Sequence, residues 1–301
     1  KNSQNPSYGK HKKADKWTKI AEDILRGSFR ELRNQVVLHF GLVNKNYKDE
    51  FLGNTLLHFV AQEGYAKMME FILDPKSHSE FDENEVDVDS KNDRNRTPLM
   101  LCFTPPTGTF VGLRYGLDSD LVPKAERPDD IEILSDWVKP GGPTARQECI
   151  GILLKYGANP NQLDTHGLSP LHYCAMWGWD IGAEALLLKK ADINAVNSAG
   201  KTALMIAIEY KHLEFIEVLM ENPELMMEAT DSEGYTALLM AMELGEEGFE
   251  FAETLLKGGA DPDAITHRKK SSLGIACKAQ NIGLITLLLN HKCQTRPSAL
   301  F

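Results

Sequence analysis

Histidine, cysteine and the acidic residues are the side chains of this sequence that could bind a metal or perform catalysis. His172 and Cys174 lie two positions apart, but a zinc site needs further ligands at coordination spacing, and the neighbouring sequence supplies none. The acidic stretch 80–89 lacks the Asp-x-Asp/Asn-x-Asp/Asn-Gly order of a calcium-binding loop. The sequence contains neither a phosphate-binding Gly-x-x-x-x-Gly-Lys-Ser/Thr run nor a His-Glu-x-x-His pair. We therefore expect no catalytic residue, no metal ion and no cofactor.

His58 and His172 occupy the same position of a repeated pattern, directly after Thr-Leu-Leu and Ser-Pro-Leu. A histidine side chain can form hydrogen bonds with nearby groups of its own repeat. We predict that both histidines brace the turn by hydrogen bonding within the repeat and that neither binds a metal.

Serine and threonine residues followed by an apolar run recur along the chain at a nearly constant interval. They stand at positions 55, 97, 169, 202, 236 and 271, so the last three intervals are 33, 34 and 35 residues. The first two intervals, 42 and 72, exceed 33 by 9 and 39 residues, which predicts insertions within 74–85 and 105–143. Such a period is typical of stacked supersecondary units. Seven units are predicted, the first of them degenerate, and they start near residues 14, 49, 91, 163, 196, 230 and 265.

Each unit is predicted to consist of two short helices followed by a turn. The Ser or Thr stands where its side chain can accept hydrogen bonds from the free amides of the first helix. Glycines nine residues later, at Gly64, Gly178 and Gly245, are predicted to end that helix. Asn95 stands where other units have glycine, two residues before the cap, so we expect it to adopt the left-handed conformation.

Two of the repeated segments carry a resemblance to a known family. The segments Gly167-Leu-Ser-Pro-Leu-His-Tyr-Cys-Ala175 and Gly259-Ala-Asp-Pro-Asp263 resemble the Thr-Pro-Leu-His-x-Ala core and the Gly-Ala-Asp-x-Asn turn of ankyrin repeats. The resemblance is strong for residues 145–293, clear for 49–104 and weak for 14–48. It implies an all-α ankyrin-repeat solenoid of about seven helix-turn-helix units, with β-hairpin-like turns and a long insert in the third unit.

The repeats divide the chain into five predicted segments. They are a flexible basic N-terminal arm (1–13), units 1–3 (14–104), a Pro-rich insert (105–143), the remainder of unit 3 with units 4–7 (144–293), and a C-terminal tail (294–301). The insert contains six prolines together with Phe, Tyr, Ile and Trp residues. It is too apolar for a solvated linker, so we expect it to pack on the repeats or on a partner.

Composition narrows the class of function. The chain has 301 residues and a formal net charge of −10, which argues against a general nucleic-acid binder. No run of about 18 apolar residues is present, so we expect no membrane insertion. Five cysteines, an odd number, without a Cys-x-x-Cys pair favour a reducing compartment. We expect an intracellular, cytoplasmic protein, although a cytoskeletal or organellar location also fits, because the sequence begins without Met and a targeting segment could precede it.

The resemblance also implies where a partner binds. Ankyrin arrays use the turn tips and the inner face of the first helices, which form a concave surface. Mapped by register, the expected contact residues are Leu168, Met176, Trp177, Lys201, Tyr210 and Tyr235. Trp and Tyr are enriched among binding hot spots because they bury a large area and carry a polar tip. Alternatively, Trp177 and Trp179 pack on the neighbouring unit or on the insert 105–143.

These observations favour a non-catalytic scaffold or adaptor for protein–protein interaction, acting as a subunit or assembly factor of a larger complex. The alternative is a cytosolic regulatory domain of a larger enzyme or ion channel whose catalytic or membrane part lies outside this chain. An enzyme within these 301 residues is disfavoured, since no site residues converge in the sequence. The identity of the partner is left open.

Overall fold

The computed structural model describes residues 53–64, 66–74, 86–104, 144–291 and 293. The first predicted unit, the arm 1–13, the insert 105–143 and the tail 294–301 lie outside these residues. The chain separates into two compact parts, here called the N-terminal module (residues 1–165) and the C-terminal module (residues 166–301).

Helices alternate with turns in the described ranges, and the first helix of each described repeat begins directly after a Ser or Thr cap. In the N-terminal module they are α1 (Leu56–Glu63), α2 (Ala66–Leu73), α3 (Pro98–Cys102) and α4 (Thr144–Lys155). In the C-terminal module they are α5 (Pro170–Trp177), α6 (Asp180–Leu188), α7 (Ala203–Glu209), α8 (Leu213–Met220), α9 (Ala237–Glu243), α10 (Phe249–Lys257), α11 (Ser272–Lys278) and α12 (Ile282–Asn290). The predicted all-α class is confirmed, because the one extended pairing in the described ranges is an isolated bridge between Ile265 and Ser271. The total of seven units stays a prediction.

The helices of the C-terminal module lie in two layers. Helices α5, α7, α9 and α11 pack side by side as the first layer, and α6, α8, α10 and α12 form the second. Each first-layer helix also packs on the second-layer helix that follows it in sequence. In the N-terminal module, α1 packs on α3 and α2 packs on α4 in the same manner.

The core of the C-terminal module is built from both layers. The second layer contributes Leu186, Phe215, Leu255 and Leu288, and each of these side chains is 0% exposed. Full burial of such a side chain stabilises the fold by about 1.5–3 kcal/mol. None of the helices in the described ranges has the length and apolar character that a membrane crossing requires.

Hydroxyl side chains cap the first-layer helices, as the sequence predicts. Thr202 Oγ1 accepts from the Met205 amide at 3.4 Å, and Ser271 Oγ accepts from the Gly274 amide at 3.1 Å. Each cap satisfies one amide that the helix itself leaves without a partner.

The residue two positions before each cap adopts the left-handed conformation. Asn95 has φ +55°, which confirms its prediction, and Gly200 has φ +75°. At Gly200 a second constraint applies, because a Cβ atom there would lie 2.8 Å from the backbone nitrogen of Ser232. The Ser232 amide donates to the carbonyl oxygen of Ala199 at 3.0 Å, so backbone hydrogen bonds join neighbouring turn tips.

The glycines predicted to end the first helices behave in two ways. Gly64 and Gly178 are left-handed C-caps, with φ +79° and +63°, as predicted. Gly245 also adopts the predicted left-handed conformation, with φ +65°, but it lies one residue beyond Leu244, the cap of α9, rather than at the cap itself. Gly245 instead begins a 3₁₀ turn (Gly245–Gly248) that leads directly into α10. The longer connection between α9 and α10 accommodates this extra turn.

Two glycines should respond to alanine in opposite directions. A Cβ atom on the buried Gly248 would overlap the carbonyl oxygen of Ala241, whereas one on the exposed Gly151, within α4, meets nothing within 4 Å. We expect Gly248→Ala to lower the free energy of unfolding by about 1–3 kcal/mol, since backbone must shift. Gly151→Ala should raise it by about 0.5–1 kcal/mol, because alanine is the better helix former. Urea unfolding midpoints measure both, and a Gly248→Ala midpoint at or above that of the parent protein would contradict the packing.

Candidate partner-binding surface

The turn tips of the C-terminal module are held by short side chains that accept backbone hydrogen bonds. Asn197 Oδ1 accepts from the amides of Ala199 and Lys201, at 2.9 and 3.0 Å. Asp231 Oδ1 accepts from the amides of Glu233 and Tyr235, both at 2.9 Å. In turns of this kind, the Asn or Asp side-chain oxygen takes the place of a backbone carbonyl as the hydrogen-bond acceptor. They fix the position of the residue that directly precedes each helix cap.

The residue before the cap reaches along the first-layer helix to a glutamate eight positions later. Lys201 Nζ lies 2.7 Å from Glu209 Oε2. Tyr235 donates its hydroxyl to Glu243 Oε1 at 3.0 Å. The same spacing in the next repeat relates Lys270 to Lys278. The pattern therefore lines up long polar side chains over α7, α9 and α11.

Lys270 connects two of these repeats. Its Nζ donates to Tyr235 Oη at 2.7 Å and to Glu243 Oε1 at 2.9 Å. The Tyr235 ring centroid is 5.5 Å from Nζ. Because Nζ is hydrogen-bonded to the hydroxyl, we assign the contact to that end of the ring rather than to its face.

Hydrogen bonds shift the pKa values of the charged side chains in this network. The bonds to Tyr235 and Glu243 raise the pKa of Lys270 to about 12. Burial favours a higher pKa for Glu243, but the hydrogen bonds from Lys270 and Tyr235 outweigh it and hold that pKa below its ordinary value of 4.5. The network is therefore intact at neutral pH, and on acidification it is lost as the pH falls through the lowered pKa of Glu243.

Two adjoining grooves lie on this surface and share Glu243. The first, of about 460 Å³, is lined by charged residues that are mostly acidic, and we call it the acidic groove: Lys201, Glu209, Asp231, Glu233 and Glu243. The second, of about 500 Å³, is lined by mostly basic charged residues, and we call it the basic groove: Glu243, Arg268, Lys269, Lys270 and Lys278. The two grooves together are the tip–helix surface of the C-terminal module.

The contact residues expected from the sequence occupy different environments. Lys201 and Tyr235 are half-buried and line the acidic groove. Trp177 and Tyr210 are also half-buried, but they do not line either groove.

Leu168 and Met176 are each only 7% exposed, so they present little area unless a partner moves them. All six residues stay predictions as partner contacts.

Sequence reasoning did not select Lys270 or Lys278 as contacts, although both line the basic groove. The sequence pattern that could have identified them is the eight-residue spacing between the residue before each helix cap and its polar partner on the same helix. Applied to the last repeat, that spacing would have identified both lysines.

His172 braces the helix start of its own repeat, as the sequence predicts, and also contacts the next repeat, which the sequence did not predict. Its Nδ1 accepts from the backbone amide of Ser169 at 3.0 Å and lies 2.8 Å from the Ser169 hydroxyl. Its Nε2 lies 3.1 Å from the carbonyl oxygen of Lys201, in the next repeat. An acceptor at Nδ1 requires the proton of the neutral ring to be on Nε2, which donates to that carbonyl.

His58 makes equivalent contacts with Thr55 and with the carbonyl oxygen of Arg96, the latter at 2.8 Å. Both rings are 0% exposed. Across the described ranges, no three His, Cys, Asp or Glu side chains are grouped closely enough to hold a metal ion.

All five cysteines are free thiols. Burial raises the pKa of Cys149 to about 12 and holds the pKa of Cys174 well above its ordinary value. A buried thiol that stays protonated is a poor nucleophile, so these two cysteines act as small apolar core residues.

Comparison with known proteins shows what the repeats of residues 144–266 are similar to. A family model of ankyrin repeats (three copies) matches residues 144–229 and 182–266. An ankyrin repeat and KH domain-containing protein from Caenorhabditis briggsae is 36% identical over 152 residues, 50% of this chain and 6% of that protein. The neurogenic locus notch homolog protein 1 of Danio rerio is 23% identical over 279 residues, 89% of this chain and 10% of that protein. The chain thus spans a small part of the length of these relatives.

Solved structures show the same fold at low sequence identity. The ankyrin repeat domain of Bcl-3 aligns with a TM-score of 0.59 and 20% identity, covering 81% of this chain and 88% of that one. An ankyrin repeat domain from Acinetobacter baumannii aligns with a TM-score of 0.58 and 21% identity, covering 79% and 98%. The resemblance deduced from the repeated segments is confirmed.

Proposed function

Because the chain contains ankyrin repeats, which are protein-interaction modules, we propose that it is a non-catalytic scaffold or adaptor within a larger protein complex. The partner binds the tip–helix surface of the C-terminal module and also contacts Trp177 and Tyr210, at the C-terminal ends of α5 and α7. The free thiols support an intracellular, cytoplasmic location.

The observation that carries this proposal is the row of long polar and aromatic side chains on neighbouring repeats. Lys201, Tyr235 and Lys270 stand at the same position of successive repeats and form links to Glu209 or Glu243. Exposed ion pairs of this kind contribute about 0–1 kcal/mol each to folding. Because these ion pairs contribute little to folding, recognition of a partner explains this row of side chains better than stability does.

Trp177 gives further support. Its ring is half-buried, while its indole N–H is shielded from solvent and has no hydrogen-bond partner in the part of the chain that the structure describes. An unsatisfied buried donor costs about 1–3 kcal/mol. A partner that turns the ring outwards and supplies a carbonyl acceptor would recover this free energy.

The length of the relatives supports an alternative function, that of a regulatory domain within a longer protein. Because the matched proteins are far longer than this chain, the repeats also fit a regulatory domain of a larger enzyme or channel. The full open reading frame separates the two: a kinase, transferase or membrane-spanning segment in the same polypeptide would favour regulation.

Crosslinking mass spectrometry on the native complex, purified through a tag on this protein, tests the scaffold proposal. We expect crosslinks from Lys201, Lys211 and Lys270 to a stoichiometric protein partner, because all three lysines are at least partly exposed. Recovery of the protein alone would contradict the proposal, and recovery only within a longer polypeptide would favour the regulatory alternative.

The recovered partner then allows a test of the contact residues. Trp177→Ala combined with Tyr210→Ala should weaken partner binding at least tenfold, as expected for hot-spot aromatics. The circular dichroism spectrum should stay unchanged, since both side chains are half-buried. Loss of the helical signal would instead assign these rings to the core.

A further inference from the structure

Positive charge is concentrated at one end of the tip–helix surface, in a chain whose net charge is −10. Arg268, Lys269 and Lys270 are consecutive at the last turn tip, and Lys278 reaches the same groove from α11. All four residues are exposed. Glu243 is the one acidic residue among those that line the basic groove.

This positive charge is largely uncompensated. Glu243 already accepts from Lys270 and Tyr235. Lys278 is near enough to help lower the pKa of Glu243, but it forms no ion pair with that carboxylate. Arg268, Lys269 and Lys278 make no salt bridge or side-chain hydrogen bond with any residue in the described ranges. Like charges that share a groove repel one another, and an anionic ligand would relieve this repulsion.

The shape of the basic groove suits an extended chain segment. Its volume of about 500 Å³ falls within the ~300–1,000 Å³ typical of ligand clefts. Gly274 and Ala279 line it and contribute little side-chain bulk. The groove is therefore open enough to admit side chains of a bound peptide next to the cations.

The acidic groove determines how far an anionic ligand can extend. Asp231, Glu233 and Glu243 line it, and its one basic residue, Lys201, is already paired with Glu209. A polyanion that continued out of the basic groove would meet like charges there. This arrangement favours a short acidic stretch of a protein over a nucleic acid, whose negative charge is continuous.

We propose that the basic groove binds an acidic segment of the partner protein and that the acidic groove fixes the register of that segment along the repeats. This inference rests on the proposed scaffold function and names the chemistry of the partner at one end of the same surface.

The test uses a fluorescein-labelled peptide of six glutamates and fluorescence anisotropy at 100 mM salt, where the Debye length is about 10 Å. We expect binding to the full chain with a Kd below about 1 mM. Arg268→Glu combined with Lys278→Glu should weaken it at least tenfold. Lys189→Glu combined with Lys257→Glu makes the same charge change at exposed positions outside the groove and should change the Kd less than twofold.

Three results would overturn the inference. They are no binding up to 1 mM, equal weakening by both double variants, and tighter binding of a six-nucleotide oligothymidylate than of the peptide. Lys278→Gln, which removes a single exposed charge, provides a second variant if the double reversal perturbs folding, and it should weaken binding at least threefold.

Binding measurements with the recovered partner distinguish failure of this inference from failure of the scaffold proposal. A recovered partner whose affinity is unchanged by Arg268→Glu with Lys278→Glu would reject the acidic segment and leave the scaffold proposal standing. A protein recovered alone that nevertheless binds the peptide with the expected dependence would reject the scaffold proposal and retain the basic groove.

Discussion

Replacing Leu186 by alanine will lower the free energy of unfolding by about 2–5 kcal/mol. Leu186 is 0% exposed and belongs to α6, which packs on α5 in the same repeat and on α8 in the next. The substitution removes apolar area from the core and leaves a cavity that the two neighbouring helices can fill only partly. In an array of repeats, stability depends on the interfaces between neighbours, so the loss affects more than one repeat.

Leu188 provides the matched control in the same helix. Its side chain is 84% exposed, so Leu188→Ala should change the free energy of unfolding by less than about 0.5 kcal/mol. Urea denaturation followed by circular dichroism measures both variants against the parent protein. Equal shifts for the two variants would mean that α6 does not bury the face assigned to it.

Replacing His172 by alanine will lower the free energy of unfolding by about 2–4 kcal/mol. Part of the effect is the cavity left by a fully buried ring. The larger part follows from two backbone groups that lose their partner, the amide of Ser169 and the carbonyl oxygen of Lys201. Because Lys201 belongs to the next repeat, the variant loosens a contact between repeats as well as a helix cap.

Two further substitutions show whether this interpretation of His172 is correct. His58→Ala removes the equivalent contacts in the N-terminal module and should have an effect of similar size. His267→Ala removes an exposed imidazole from a turn tip and should change the unfolding midpoint little. An equal loss of stability in His172→Ala and His267→Ala would contradict the bracing role of His172.

Features that depend on a few neighbouring residues could be predicted from the sequence. The cap at Thr202 and the left-handed Asn95 each involve residues within a short stretch of chain. Repetition at about 33 residues strengthened these predictions, because the same local solution appears several times. The left-handed conformation of Gly245 was predicted correctly, but the 3₁₀ turn that begins there was not, since the α9–α10 connection is longer than its counterparts.

The candidate surface was only partly predictable. The sequence register placed Lys201 and Tyr235 correctly among the side chains that line a groove. It also selected Leu168 and Met176, which are nearly buried. Register gives the position of a residue within its own repeat, but the exposed area of a side chain depends on what the adjacent repeat places beside it.

The sequence by itself determined the repeat, the helix starts, the bracing histidines and the absence of a recognisable catalytic motif, because each depends on residue type and short spacing. Only the tertiary structure showed that Lys270 joins Tyr235 and Glu243 across two repeats, and that the charges separate into an acidic and a basic groove. Those contacts link residues 27 and 35 positions apart. Their formation requires the stacking of whole repeats, which brings side chains together that no local pattern connects.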